Sequence, residues 1–239
     1  MNTVLGLDSA GKTAGVALVR SGALVYEAVL SAGLTHSETL LPLCRDALAA
    51  AGLGPDDVDA YAVAAGPGSF TGLRIGLATV KGLALAGEKP CAGVSTLEAL
   101  CWGVPVWGNV LCALDARRGE VYWAAFRVAQ GPAGTQVQRL YEDQSGPAAA
   151  LGAVLDKLQG PVTLLGDGAA LVAAAFPARA LRLGPVHFRT GRAAGVCFAA
   201  LAAGPGAFVP AERLAPLYHR LSQAQRERAA RLGLSPEQV

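Results

Sequence analysis

The sequence lacks the cysteine and histidine patterns that build disulfide frameworks and metal sites. Its five cysteines, at positions 44, 91, 101, 112 and 197, are odd in number and form no CxxC pair. We therefore expect buried, reduced thiols rather than disulfides or a zinc site. Two histidines share a metal ion along a helix when they stand four positions apart. His36 would need its partner at position 40, where Leu40 stands, so His36 is expected to be a capped or solvent-facing residue at a helix start.

Charged residues and catalytic signatures are also scarce. Only 16% of the residues are charged and the net charge is +2, which does not by itself indicate nucleic-acid binding. There is no GxSxG motif and no complete P-loop or GxGxxG motif, because Thr71 replaces a required glycine and Leu73 follows Gly72. No membrane span is expected, since Arg74 and Lys81 interrupt the longest apolar helix. The beginning of the chain has no basic flank, so a signal peptide is not expected either.

The most informative stretch is YAVAAGPGSFTGLRIGLATVKGLALA, residues 61–86. It predicts a buried strand, a glycine-rich turn and a helix from Ser69 to Ala86, with Ser69 or Thr71 as the capping residue. Glycines recur every four residues, which places them in one row; they are Gly68, Gly72 and Gly76. A glycine inside a helix costs about 1 kcal/mol relative to alanine, so the row indicates that another backbone comes close. Three interpretations stay open: a phosphate-binding turn, a tight internal turn and a close-packed helix pair at a protein interface.

The helix 69–86 is apolar on several faces, and such a helix must be covered on more than one side. We therefore predict that it and the helix His36–Ala51 form a partner interface. The residues predicted for that interface are His36, Leu40, Leu43, Gly68, Gly72, Leu73, Gly76 and Val80. The alternative is that the linker and the second half of the chain cover the helix internally.

The apolar periodicity predicts an α/β protein built from two similar halves. The order βββαβαβα runs to Trp102 and begins again after a linker at 103–109, which gives predicted domains at 1–104 and 105–239. The charged tail from Ser222 is expected to be frayed. The first half has predicted strands at 3–7, 13–20, 23–30, 59–65 and 91–94 and helices at 36–51, 69–86 and 95–102. The second half has predicted strands at 110–114, 120–127, 136–141, 162–165 and 181–183. Its three predicted helices are at 147–158, from the turn 166–168 to residue 176, and at 190–203.

Six motifs, spread over almost the whole chain, carry a family resemblance. They are LDSAGKTAGVALV, HSETLLP, GPGSFTGLRIGL, VSTLEAL, LDARRGEVYWA and LAPLYHR, of which the third is the most specific. By these motifs the chain resembles the TsaB (YeaZ) family. Its twofold repeat is similar to the superfamily of actin, sugar kinases and heat-shock chaperone ATPases. The resemblance implies two lobes of duplicated βββαβαβα with the actin-like ATPase (ribonuclease H-like) fold. The family's first turn usually reads closer to Asp-Thr-Ser, so Asp8-Ser9-Ala10 departs slightly.

The resemblance also implies a function and partners. It implies a cytoplasmic, non-catalytic relative of TsaD that works with TsaD and TsaE homologues. The reaction would transfer the threonylcarbamoyl group to N6 of adenine 37 in tRNAs that read codons beginning with A, with TsaC supplying the threonylcarbamoyl-adenylate. The chain would reach tRNA through the complex, could form a homodimer when alone, and would have no membrane partner and no activity alone. The rival interpretation is an autonomous ATP-dependent kinase or ATPase, with a peptidase only as a residual alternative.

One interpretation of the two aspartate turns is weak nucleotide binding. Asp8 aligns with Asp115, and the superfamily uses these two turns to hold phosphate groups. The candidate nucleotide-binding residues are Asp8, Ser9, Asp115, Gly166 and Gly168, with ATP or ADP at the complex interface as the candidate cofactor. Arg117 and Arg118 fill the second turn; they could bind phosphate but argue against the geometry of hydrolysis. The alternative is that these segments are simple structural turns.

Overall fold

The chain, in a computed structural model that describes residues 1–132, 134–218 and 231, folds around two five-stranded mixed sheets. The predicted tail from Ser222 and the last two residues of the LAPLYHR motif lie outside the described residues. The first sheet has the strand order β3-β2-β1-β4-β5. Its strands are β1 (Thr3–Asp8), β2 (Ala14–Arg20), β3 (Ala23–Leu30), β4 (Ala60–Gly66) and β5 (Cys91–Ser95).

The second sheet repeats this order. Its strands are β6 (Gly108–Arg117), β7 (Glu120–Gly131), β8 (Gly134–Pro147), β9 (Val162–Leu165) and β10 (Leu181–Leu183), in the order β10-β9-β6-β7-β8. In each sheet the first strand of the half lies at the centre, antiparallel to the second strand and parallel to the fourth. The central strands are continuous apolar runs because both of their faces are buried.

In the described part of the chain, the strands of the two sheets are connected and covered by six α-helices with given bounds. They are α1 (His36–Ala50), α2 (Phe70–Ala86), α3 (Thr96–Trp102), α4 (Gly152–Lys157), α5 (Ala169–Ala175) and α6 (Ala193–Ala202). With the strands they give βββαβαβα twice, so the predicted duplication and the two-lobed actin-like fold are confirmed. The division at 104 and 105 into two domains stays a prediction. Among the described residues, no helix has both the length and the apolarity that a membrane span needs.

The predicted element boundaries were wrong in the second half. Strand β8 is 14 residues long and ends at Pro147, where a helix was expected to begin. It continues because it pairs with β7 from Gly134 to Pro147, and a proline is tolerated at the edge of a sheet. The helix predicted at 147–158 is instead a 3₁₀ helix at Ala148–Leu151 followed by the six residues of α4. The last helix, α6, starts at Ala193 and not at 190.

The final helix of each half packs against the sheet of the other half. Leu97, Leu100 and Cys101 of α3 join a core with Cys112 and Phe126 of the second sheet. Conversely, α6 contacts β1, β2 and β4 of the first sheet, and its buried residues belong to the first sheet's core. The last helix of the second half therefore packs back onto the first half.

The two exchanged helices, α3 and α6, also pack closely on each other. A side chain at Gly195 of α6 would collide with the carbonyl group of Ala99 in α3, and one at Gly103 would crowd Arg192. A close-packed helix pair that depends on glycine therefore exists in this protein. It lies inside the chain, between α3 and α6, and not where the glycine row of residues 68–76 suggested.

Candidate functional site

The turn after β1 packs into the glycine row of α2. A side chain at Gly72 would collide with the carbonyl oxygen of Ser9, one at Gly76 with the Ser9 hydroxyl, and one at Gly68 with Ala10. The Ser9 hydroxyl donates a hydrogen bond of 2.9 Å to the carbonyl oxygen of Gly72. The backbone that approaches the glycine row is thus this turn. Our interpretation of the row as the contact surface of a second chain's helix was wrong, and Gly68 precedes the helix, which starts at Phe70.

His36, at the start of α1, contacts the turn after β1. Its Nε2 atom lies 3.0 Å from the carbonyl oxygen of Gly11. His36 is half-buried, and its Nδ1 atom is buried without a hydrogen-bond partner. In residues 1–132, 134–218 and 231, no three His, Cys, Asp or Glu side chains are grouped so that they could hold a metal ion. His36 therefore positions α1, next to the glycine row, through a main-chain contact.

Asp8, at the end of β1, is a buried carboxyl group. Only 2% of the residue is exposed, and its Oδ1 accepts a hydrogen bond of 3.0 Å from the N–H of Ala10. Its Oδ2 is buried without a partner, and the main chain of Gly191 lies so close that a side chain there would strike the carboxyl group. Burial raises the pKa of Asp8 to about 6, against the opposing effects of the Ala10 N–H and His36; Glu27 raises it further. The chain's own loop thus covers this turn.

In the second turn, between β6 and β7, two main-chain N–H groups donate to carboxylates, one from the turn itself and one from the loop after β9. Oδ1 of Asp115 accepts the N–H of Arg117 at 2.7 Å, and Oδ1 of Asp167 accepts the N–H of Asp115 at 2.9 Å. A side chain at Gly166 would collide with the carbonyl group of Ala113, and one at Gly168 with the backbone of Leu114 and Asp115. These glycines let the loop after β9 approach β6.

The five residues predicted to bind a nucleotide all make close contacts within the chain. In the first turn, Asp8 and Ser9 are buried and occupied by contacts within the chain. In the second, carboxylates accept the N–H groups of Asp115 and Arg117, which a phosphate would otherwise need. The residues present do not fit a phosphate group in either turn. Nucleotide binding at Gly166, Gly168 and the other three positions stays a prediction that these contacts do not favour.

The residues exposed on α1 and α2 are not those predicted to form the partner interface. Of the predicted interface residues, five face the core: Leu40, Gly72, Leu73, Gly76 and Val80. Three are half-buried: His36, Leu43 and Gly68. The exposed residues of the two adjacent helices include Leu41, 55% exposed, and Leu85, 54% exposed. The stripe exposed along α2 is Arg74, Ala78, Gly82 and Leu85; we call it the α2 stripe. The interface as a region stays a prediction, and its residues change.

One cluster at the start of α2 was missed by sequence reasoning. The guanidinium carbon of Arg74 lies 3.8 Å from the ring centroid of Phe70. The Phe70 ring stacks on Tyr218, with centroids 4.9 Å apart and an angle of 24° between the planes. Nε of Arg74 donates a hydrogen bond of 3.0 Å to the Tyr218 hydroxyl. Because 144 positions separate Arg74 from Tyr218, no local pattern could have indicated this contact.

A cavity of about 360 Å³ lies between α3, β8 and the end of α6. Arg139 donates to Asp143 at 2.5 Å and to Glu98 at 2.7 Å, and the Ser95 hydroxyl donates to Asp143 at 2.6 Å. These side chains form hydrogen bonds with one another and connect the start of α3 to β8. The cluster therefore adds polar contacts between the two halves to the packing of α3 and α6.

Comparisons with known proteins agree with this architecture. The family model of TsaD, tRNA N6-adenosine threonylcarbamoyltransferase, matches residues 31–181. A protein of Escherichia coli (strain K12), "tRNA threonylcarbamoyladenosine biosynthesis protein TsaB", is 40% identical over 129 residues, 52% of this chain and 54% of that one. The chain therefore spans about half the length of that relative.

Two further matches cover more of the chain. The Bacillus subtilis (strain 168) protein with the same TsaB name is 32% identical over 170 residues, 71% of this chain and 72% of that one. The solved structure of YeaZ from Pseudomonas aeruginosa is 30% identical, with a TM-score of 0.78 over 91% of this chain and 100% of that one. From these matches and the duplicated fold, we conclude that the chain belongs to the TsaB (YeaZ) family of TsaD-related proteins.

Proposed function

We propose that this chain is a non-catalytic subunit in the synthesis of threonylcarbamoyladenosine in tRNA. In the cytoplasm, with TsaD and TsaE homologues, it enables transfer of the threonylcarbamoyl group to N6 of adenine 37 in tRNAs that read codons beginning with A. The names of the similar proteins from Escherichia coli and Bacillus subtilis support the pathway. The match to the TsaD family model supports descent from the same ancestor as the transferase subunit.

The closed Asp8 turn carries the non-catalytic part of the proposal. Asp8 and Ser9 stand where an ATPase of this fold would present its first phosphate turn. Here the main chain of Gly191 covers the Asp8 carboxyl group, and the Ser9 hydroxyl is used by Gly72. An ionised carboxylate without a cation also repels phosphate. The chain therefore contributes to the reaction by binding a partner.

The partner surface that we propose is the outward side of α1 and α2. The α2 stripe consists of Arg74 followed by small and apolar residues, a composition that lets a helix of the partner approach closely. Leu41 and Leu85 add exposed apolar area on the same pair of helices. In isolation this surface supports a homodimer, and in the complex the related face of TsaD replaces the second copy. The tRNA is reached through that complex.

A reconstitution tests the function. Purified TsaD and TsaE, tRNA, ATP and enzymatically made threonylcarbamoyl-adenylate are incubated with and without this chain, and modified adenosine is measured by mass spectrometry of nucleosides. We expect modification only when the chain is present, and no ATP turnover above background by the chain alone. ATP turnover by the chain alone that both Asp8→Asn and Asp115→Asn abolish would instead establish an autonomous ATPase.

The surface is tested with a matched pair of helix variants. Ala78→Glu places a charge in the α2 stripe, while Ala153→Glu makes the same change at an exposed position of α4. We expect Ala78→Glu to fold normally and to lose at least about tenfold in affinity for TsaD. Ala153→Glu should bind like the wild type. Equal binding by both variants would rule out the α2 stripe as the contact surface.

A further inference from the structure

The guanidinium group of Arg74 is held in one orientation. The Phe70 ring lies against its flat face at 3.8 Å, and the Tyr218 hydroxyl accepts the hydrogen bond of its Nε. An exposed arginine ordinarily loses considerable side-chain entropy when it binds. Here the two contacts have already restricted the side chain, so less entropy is lost when a ligand is bound.

The position of Tyr218 is fixed by the backbone that precedes it. The N–H of Leu217 donates a hydrogen bond of 2.7 Å to the carbonyl oxygen of Ala65, at the end of β4. The Leu217 carbonyl lies against Gly66, where a side chain would collide with it, and Leu214 is buried in the first core. The segment 214–218 is thus attached to the strand that leads into α2. Tyr218 itself stays 44% exposed.

Within the described part of the chain, the remaining donors of Arg74 have no hydrogen-bond partner. No described residue accepts a hydrogen bond from Nη1 or Nη2 of Arg74, and the residue is exposed. No aspartate or glutamate occurs in α2, whose sequence is FTGLRIGLATVKGLALA. The two nitrogens match the two oxygens of a carboxylate, which a guanidinium group binds in a bidentate manner.

We propose that Arg74, oriented by Phe70 and Tyr218, binds the carboxylate of an aspartate or glutamate side chain of the partner subunit. This inference rests on the proposed function, because it places the contact in the partner surface of α1 and α2. Arg74 is the first member of the α2 stripe, so the carboxylate site is continuous with that surface. Arginine and tyrosine are also among the residues that dominate the energetics of protein interfaces.

An RNA phosphate is a less suitable occupant of this site. A nucleic-acid surface needs several cations in succession, whereas Lys81 is the only other cation in α2 and is half-buried. The α2 stripe beyond Arg74 consists of Ala78, Gly82 and Leu85, which offer no hydrogen-bond donors from their side chains to a phosphate backbone. The chain's net charge of +2 adds little attraction.

The test measures binding of purified TsaD to the full-length chain by calorimetry. Arg74→Gln removes the charge, Arg74→Lys keeps the charge without the bidentate geometry, and Tyr218→Phe keeps the ring without the orienting hydroxyl. We expect affinity losses of at least about tenfold for Arg74→Gln, nearly as large for Arg74→Lys, and about two- to fivefold for Tyr218→Phe. The wild-type affinity should also fall with added salt more steeply than that of Arg74→Gln.

Arg20→Gln is the matched control, since Arg20 is exposed and pairs with Thr3, at the other end of β1 from Asp8. Thermal unfolding checks that each variant is folded. If the wild type binds TsaD and both Arg74 variants bind equally well, the carboxylate site is refuted while the proposed function stands. Unchanged TsaD binding with weakened tRNA binding would also refute it, in favour of an RNA contact. If the wild type does not bind TsaD, both proposals fail.

Discussion

Replacing Asp8 by asparagine should remove a pH-dependent cost to stability. Moving the pKa of a carboxyl group from 3.8 to about 6 corresponds to about 3 kcal/mol at 1.36 kcal/mol for each pH unit. Because the folded-state pKa is raised, the favourable contribution of protonated Asp8 is complete below pH 3.8 and is lost as the pH rises through about 6. Ionised Asp8 therefore lowers the free energy of unfolding of the wild type at neutral pH.

The asparagine of the Asp8→Asn variant cannot ionise but can still accept the N–H of Ala10. Its amide group adds a cost or benefit that does not vary with pH, so the informative quantity is the change of the stability difference with pH. The wild type should lose about 2.4 kcal/mol relative to Asp8→Asn between pH 4 and pH 8. Urea-induced unfolding, followed by circular dichroism at several pH values, measures this quantity.

A control of opposite sign is available in Asp59. The N–H groups of Thr3 and Asn2 donate to its carboxylate at 2.9 and 2.7 Å and lower its pKa. Its contribution to stability is therefore present at neutral pH and lost in acid, so Asp59→Asn should be relatively more harmful at high pH. A stability difference between wild type and Asp8→Asn that stays constant from about pH 4 to pH 8 would refute the account of Asp8 as a buried, costly carboxylate.

Two further predictions concern packing and the contacts of α6. Gly72→Ala should lower the free energy of unfolding by at least about 2 kcal/mol, because the new methyl group collides with the Ser9 carbonyl. Gly82→Ala, with open space around it, should raise the free energy of unfolding by about 0.5–1 kcal/mol. Thermal unfolding of both variants measures these changes, and equal effects would contradict the close approach of Ser9 to Gly72. Glu27→Gln should cost about 1–3 kcal/mol, because it leaves Arg192 without its ion-pair partner; urea unfolding measures this, and a loss below about 0.5 kcal/mol would show that the ion pair contributes little.

The overall topology could be predicted because it depends on features that repeat along the chain. The central strands β1 and β4 are apolar runs bounded by turns. Each half also begins with a strand, a turn that contains an aspartate, and a second strand. The end of β8 could not be predicted in this way. It is set by pairing with β7 across a hairpin, so its length depends on register and not on its own residues.

The candidate site was predicted only in part. The spacing of the glycines indicates that another part of the protein packs closely there, but it does not identify which residues do so. Gly72 correctly indicated a close backbone, but that backbone is Ser9, more than sixty positions away along the chain, and Gly76 makes room for the Ser9 hydroxyl. The inward orientation of Leu40 and Val80 likewise follows from how the helices lie on the first sheet. The apolar sequence of α2 does not distinguish its covered side from its exposed side.

The exchange of α3 and α6 has a consequence for how the protein is made. The inner face of the first sheet is completed by residues 193–202, although the last strand of that sheet ends at Ser95. During synthesis the first half therefore leaves the ribosome long before its missing helix is available, and its apolar face stays exposed until nearly the whole chain has been translated. We expect nascent chains that stop before α6 to need a chaperone. The cell thus receives this subunit in its folded form only after translation has passed residue 202.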